Sequence, residues 1–128
     1  MFDYLSNNSF PVLENVWLGT SIENSDYLDR LNILRSVPAA VRFISFEPLI
    51  GSVGYPDLEK IDWAIVGGES GSGARPMDIS WVDSIKSSCS AAETAFFFKQ
   101  WGGVQKKKTG RMYQDKTWDA LPRQFSVA

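Results

Sequence analysis

Asp62-Trp63-Ala64-Ile65-Val66-Gly67-Gly68-Glu69-Ser70-Gly71 is a strand-length apolar run that ends in paired glycines and a carboxylate. A continuous apolar run, rather than an apolar–polar alternation, marks a strand covered on both faces, as in a buried parallel sheet. Working outward, three further runs have the same character: Asn15-Val16-Trp17-Leu18-Gly19, Val41-Arg42-Phe43-Ile44-Ser45-Phe46 and Ala95-Phe96-Phe97-Phe98-Lys99. Between the first two, Tyr27, Leu31 and Leu34 recur at helical spacing, with Asn24 or Ser25 as N-cap and Pro38 closing the segment. Val82, Ile85, Cys89 and Ala92 recur likewise behind Ser80, read as N-cap. These patterns predict helices over roughly 25–36 and 81–93 and a short one around 56–60. The expected fold class is α/β, four parallel strands joined by crossover helices. Residues 1–103 read as the domain and 104–128 as a turn-rich tail packing on it, with Trp118, Leu121 and Phe125 as the side chains that fold back.

The 128 residues are 44% hydrophobic, which suits one packed domain. No run is long enough to span a bilayer, and Met1-Phe2-Asp3-Tyr4 lacks the basic flank of a secretion signal, so a cytoplasmic protein without membrane contact is expected. One cysteine, Cys89, forbids an intrachain disulfide, and the absence of histidine removes Ser-His-Asp and Cys-His nucleophiles and His-based zinc sites. Cys89 itself reads as a small buried hydrophobe. The formal charge of -2 divides into +4 over 104–128 and -6 before it. Lys106, Lys107, Lys108 and Arg111 are therefore candidate nucleic-acid contacts, against the reading of a solvated basic tail.

In parallel α/β proteins ligands bind beyond the carboxyl ends of the strands. Thr20, Ser21 and Glu23 follow the first run; Ser45 and Glu47 close the second. Gly67, Gly68, Glu69 and Ser70 follow the third, and Lys99 ends the fourth. Three carboxylates near one lysine suit acid–base work or recognition of an amino group, so Glu23, Glu47, Glu69 and Lys99 are the candidate catalytic set. Thr20, Ser21, Ser45, Gly67, Gly68 and Ser70 are the candidate cofactor-binding set. Against this stands the reading that polar residues solubilise a sheet edge and that the glycines make a tight turn. The glycine order matches neither a P-loop nor G-x-G-x-x-G. No metal ligands are assigned, the absence of histidine leaving open only an oxygen-ligand site for a hard cation.

Asn15-Val16-Trp17-Leu18-Gly19-Thr20-Ser21-Ile22-Glu23-Asn24, Arg42-Phe43-Ile44-Ser45-Phe46-Glu47-Pro48-Leu49, Asp62-Trp63-Ala64-Ile65-Val66-Gly67-Gly68-Glu69-Ser70-Gly71 and Phe97-Phe98-Lys99-Gln100-Trp101-Gly102, with Arg75-Pro76-Met77, are specific words. Together they resemble the C-terminal half of a phage and prophage family named for gene products thirty-seven and sixty-eight (Gp37/Gp68), a domain of unknown function with radical-SAM-like character. The resemblance covers about Val12 to Pro122. It implies a partial, half TIM-like βα barrel, with part of an S-adenosylmethionine pocket at Thr20, Ser21, Glu23, Ser45, Glu47, Gly67, Gly68, Glu69 and Lys99. The cysteine-bearing half of that family is missing here, so no iron–sulfur cluster forms within this chain and radical cleavage by it alone is excluded. Cofactors are then none of the chain's own, with room for S-adenosylmethionine. The resemblance places the protein in a bacterial host.

Two classes of function follow: a small-molecule-binding half barrel that needs a second polypeptide, or a repurposed fragment acting by protein or nucleic-acid contact. A parallel sheet with one uncovered apolar face, carried by Trp17, Phe43 and Ile65, invites a partner. The candidates to cover it are a second copy of the chain, a homodimer being expected first, a separate cysteine-bearing half, or the chain's own tail, with Trp118, Leu121 and Phe125 folding back over the opening.

Overall fold

A computed structural model describes residues 17–102, 111–114 and 116–122 of the chain. Strands β1 (Trp17–Ser21), β2 (Val41–Phe46), β3 (Trp63–Gly67) and β4 (Ala95–Gln100) lie side by side in chain order, all parallel. This is the α/β sheet that the four apolar runs predict. A two-residue strand β5 (Trp118–Asp119) adds to the β4 edge antiparallel, with Asp119 opposite Phe97 and Trp118 opposite Phe98.

Alternation along the strands sorts the side chains into two faces. Ile44 and Phe46 of β2, Ala64 and Val66 of β3 and Phe96 and Phe98 of β4 are buried against the crossover segments. Helix α1 (Asp29–Arg35) brings Leu31 and Leu34 to this core; helix α2 (Ile79–Ala92) brings Val82, Ile85 and Cys89. Each Val, Leu, Ile or Phe side chain among them stabilises the fold by about 1.5–3 kcal/mol relative to exposure.

The helix ends are closed by groups the chain supplies locally. Asn24 caps a 3-10 turn (Ser25–Tyr27) ahead of α1, its Oδ1 accepting from the Asp26 amide at 2.9 Å. Past the C-terminus of α1, the Arg42 guanidinium donates to the Val37 carbonyl at 2.8 Å and to the Leu34 carbonyl at 3.2 Å. The orphan carbonyls of a helix end are thereby satisfied. α2 starts two residues earlier than its periodicity suggests, because Asp78 is the cap and Ser80 donates to it through both amide and hydroxyl. It stops at Glu93, whose φ of 58° is left-handed.

Residues 56–60, expected as a short helix, form turns instead. The Asp57 carboxylate accepts from the Glu59 amide at 3.0 Å, and Lys60 has φ 66°. A side-chain acceptor competing for the backbone and a left-handed residue both oppose a helix there.

The described part of the tail wraps the β4 edge on both sides: Tyr113 and Trp118 lie on the helix side, while Arg111 over Phe97 and the Ala120 carbonyl, which accepts from the Trp63 indole, lie on the other. Tyr113, 1% exposed, sits among Phe96, Phe98 and Trp101, and its hydroxyl donates to the Asp83 carboxylate on α2. Trp118 packs edge-on against Phe96 with centroids 5.7 Å apart, and its indole donates to the Tyr113 carbonyl. Trp118 therefore folds back as expected, whereas Leu121 is exposed and Phe125 lies outside the described residues.

The other sheet face carries no helix among the described residues. Phe43, Trp63, Ile65 and Phe97 are half-buried on it. Trp63 is its centre, 6.0 Å from Phe43 and 5.9 Å from both Trp17 and Phe97, edge-on to the last two. Gly19 admits the Phe43 ring, which stands where a Cβ would be. None of the described helices is long and apolar enough to cross a membrane.

Candidate functional site

The rim beyond the strand C-termini is assembled by the same alternation. Ser21, Ser45 and Gly67 lie on the helix-free side of the sheet, and Glu47 continues that side two residues beyond Ser45. Lys99 follows Phe97 in the same way, at a bulge where Gly67 pairs with Gln100. The result is an ion pair from the end of β2 to the end of β4, with Lys99 Nζ 3.0 Å from Glu47 Oε2. It arches over β3: a Cβ on Gly67 would stand 2.9 Å from Glu47 Oε2. Both side chains are partly exposed, so the pair can exchange partners with a ligand.

The other candidate carboxylates are held separately. Glu69 is gripped by Arg75, whose Nε and amide donate to Oε1 at 3.0 and 2.9 Å and whose Nη2 donates to Oε2 at 2.8 Å. These bonds hold the Glu69 carboxyl down at about 2 against a usual 4.5. Glu69 thus closes the 69–75 loop. Glu23 lies 3.9 Å from Arg30, whose guanidinium also donates to the Ser21 carbonyl at 2.6 Å. Glu47 and Lys99 are the two of the four candidate groups that the structure brings into contact.

Among the candidate binding residues, Ser21 and Ser45 are register partners at the rim, whereas Thr20 alternates to the helix side and Ser70 is exposed beyond it. Gly68 has a packing reason: a Cβ there would meet the Trp101 carbonyl oxygen at 1.9 Å, and one on Gly102 the Glu69 carbonyl oxygen at 2.3 Å. Two bare backbones press together where β3 and β4 end. The Gly68 amide donates to the Gln100 carbonyl at 3.0 Å in this contact.

Of the basic tail, Arg111 is committed to structure, donating to the Lys99 carbonyl at 2.9 Å and to the Asp119 carboxylate while lying over the Phe97 ring. Lys106, Lys107 and Lys108 lie outside the described residues. The sequence missed Arg75 as the partner of Glu69, although a base six residues after a Gly-Gly-Glu turn is legible as a loop-closing pair.

A cavity of about 590 Å³ opens at the other end of the sheet, lined by Lys60, Asp62, Lys86, Phe96, Trp118 and Leu121 among others. Another, of about 750 Å³, lies between the 55–60 turns and α2. Two polar groups lining the first are engaged: Thr94 Oγ1 donates to the Ile61 carbonyl at 2.9 Å, and Asp62 Oδ2 accepts from the Arg42 amide at 2.9 Å. Volume favours that end, but exchangeable charge favours the rim, which is also where this architecture binds ligands. Among the described residues no group of three or more Cys, Asp or Glu side chains is placed to hold a metal ion.

Residues 1–122 match a family model described as a protein of unknown function, DUF5131. The chain belongs to the DUF5131 family. This is the phage Gp37/Gp68-type family that the strand-end words resemble. No curated protein and no solved structure matches the chain. The rim of this DUF5131 chain is built on Glu47, Gly67 and Lys99.

Proposed function

We propose that this DUF5131 protein binds a small zwitterionic molecule at the rim of its parallel sheet, an S-adenosylmethionine-like ligand being the best fit. The observation that carries the reading is the partly exposed Glu47–Lys99 pair at 3.0 Å above Gly67. A carboxylate beside an ammonium is complementary to an α-amino-acid group, since each charge of the ligand finds its opposite when the internal pair opens. Ser21 and Ser45 supply neutral hydrogen-bonding groups on the same side, and Gly67 leaves the strand end without a side chain. Phe43, Ile65 and Phe97 below provide an apolar floor for a planar group.

S-adenosylmethionine would bring a reactive sulfonium; the chain's own residues would bind and orient it. With one cysteine in the sequence, buried on α2, this chain cannot supply three thiolates to a cluster. Radical chemistry would need a second, cysteine-bearing polypeptide.

Isothermal titration calorimetry of the full chain with S-adenosylmethionine and S-adenosylhomocysteine tests the reading. Saturable binding is expected, weakened about tenfold or more by Glu47→Gln and by Lys99→Met, as befits loss of a charge-assisted contact. Absence of heat with either compound at millimolar concentration, or binding indifferent to both substitutions, refutes it.

A further inference from the structure

The end of β4 carries Lys99 past the stretch where strand pairing holds it. On one side β5 is two residues long and pairs with Phe97 and Phe98 only. On the other side the register with β3 passes from Phe98 to Gln100 and skips Lys99. Lys99 is thus the extra residue of a bulge, and neither neighbouring strand fixes its backbone.

Arg111 takes over that task from the tail. Its Nε donates to the Lys99 carbonyl at 2.9 Å, its Nη2 is tied to the Asp119 carboxylate on β5, and its guanidinium carbon stands 5.5 Å from the centre of the Phe97 ring. One planar side chain therefore joins the residue that bears the rim ammonium, the strand beside it and an aromatic of the apolar floor. Its charge is answered by Asp119, so what it brings to the rim is geometry.

We infer that Arg111 is a positioning residue for the rim, a role that rests on reading the rim as the site of an amino-acid group. By clamping the Lys99 carbonyl to β5 it fixes the backbone from which the Lys99 ammonium reaches Glu47, and affinity at the rim then depends on a docked tail. A guanidinium suits the role because separate nitrogens reach the carbonyl and the carboxylate at once, whereas lysine offers a single ammonium on a flexible stem.

Two measurements on the full chain test this. The first needs no ligand: the Lys99 ammonium resonance in Arg111→Gln should move toward its position in Glu47→Gln, where the ion pair is absent. It should stay in place in Tyr113→Phe, which weakens the tail's hold on the helix side without touching Lys99. Asp119→Asn loosens the same clamp from its other end, should move the resonance in the same direction, and decides the matter if Arg111→Gln does not fold. The second is calorimetric titration with S-adenosylmethionine, in which Arg111→Gln is expected to bind about five- to tenfold more weakly and Tyr113→Phe as tightly as the unsubstituted chain. Arg111→Lys, which keeps the charge and loses the fork, should restore neither readout. A Lys99 resonance unmoved in a folded Arg111→Gln or Asp119→Asn chain overturns the inference, and so does full recovery with Arg111→Lys. If the unsubstituted chain binds no S-adenosylmethionine, the ligand reading fails, and the resonance alone still decides whether Arg111 positions Lys99.

Discussion

Glu47 and Lys99 meet across a strand to which neither belongs, and the position beneath them, Gly67, has no side chain to hold them apart. Gly67→Ala would put a methyl group 2.9 Å from the Glu47 carboxylate, the mobile end of a flexible side chain. The expected outcome is a folded protein whose stability to denaturant changes by less than about 1 kcal/mol, since alanine suits a strand interior better than glycine. The ion pair opens, read as a changed Lys99 ammonium resonance. At Gly68 the obstructing atom is backbone, so Gly68→Ala should cost about 1–3 kcal/mol. Equal costs at both positions would contradict the distinction.

The Glu69–Arg75 lock has a definite pH window. Because the folded carboxyl protonates near 2 rather than near 4.5, its contact favours the folded loop fully above 4.5 and is lost as the pH falls from there toward 2. Titration of the Glu69 carboxyl carbon by nuclear magnetic resonance should show that low midpoint, and Arg75→Gln should return it to near 4.5. An ordinary midpoint in the unsubstituted protein would mean that the loop is not held this way.

Burial pushes the Cys89 thiol up to about 12, with Lys86 opposing weakly. At pH 8 only about one thiol in ten thousand is then the reactive thiolate. The expected outcome is negligible reaction with a disulfide reagent in the folded chain and stoichiometric reaction in denaturant. Fast labelling without denaturant would place Cys89 at the surface.

The tail anchor divides into a hydrogen bond and a packing contribution. Tyr113→Phe removes the donor to an Asp83 that water can reach, and should cost about 1 kcal/mol. Tyr113→Ala also vacates the space among Phe96, Phe98 and Trp101, and should cost about 3–5 kcal/mol. Chemical denaturation measures both, and similar losses would show that the ring contributes little.

The sheet was readable because its evidence is local and redundant: Trp63-Ala64-Ile65-Val66 and Ala95-Phe96-Phe97-Phe98 are apolar on both faces and admit few alternatives. The helix carrying Val82, Ile85 and Cys89 was legible from its period; the one carrying Leu31 and Leu34 was legible but shorter than the expected 25–36, because residues 25–27 form a 3-10 turn and Tyr27 is exposed. The start of α2 was not legible, since Asp78 and Ser80 are both good caps and the choice rests on which accepts and which donates. β5 was invisible because two residues carry no period. At the rim the residue types were readable from strand ends, but their partners were not. Glu69 has its partner six residues on, whereas Glu47 has its partner 52 positions away, in contact only once the sheet exists.

The indole nitrogen of Trp63, in the middle of the sheet, donates to the carbonyl of Ala120 at 2.8 Å, 57 positions later. The same short segment therefore supplies the acceptor for an indole at the middle of the sheet and the strand that covers its β4 border. Proteolytic cleavage ahead of Trp118 would remove both together, so a nick at the chain's far end would be felt at the centre of the sheet as well as at its edge.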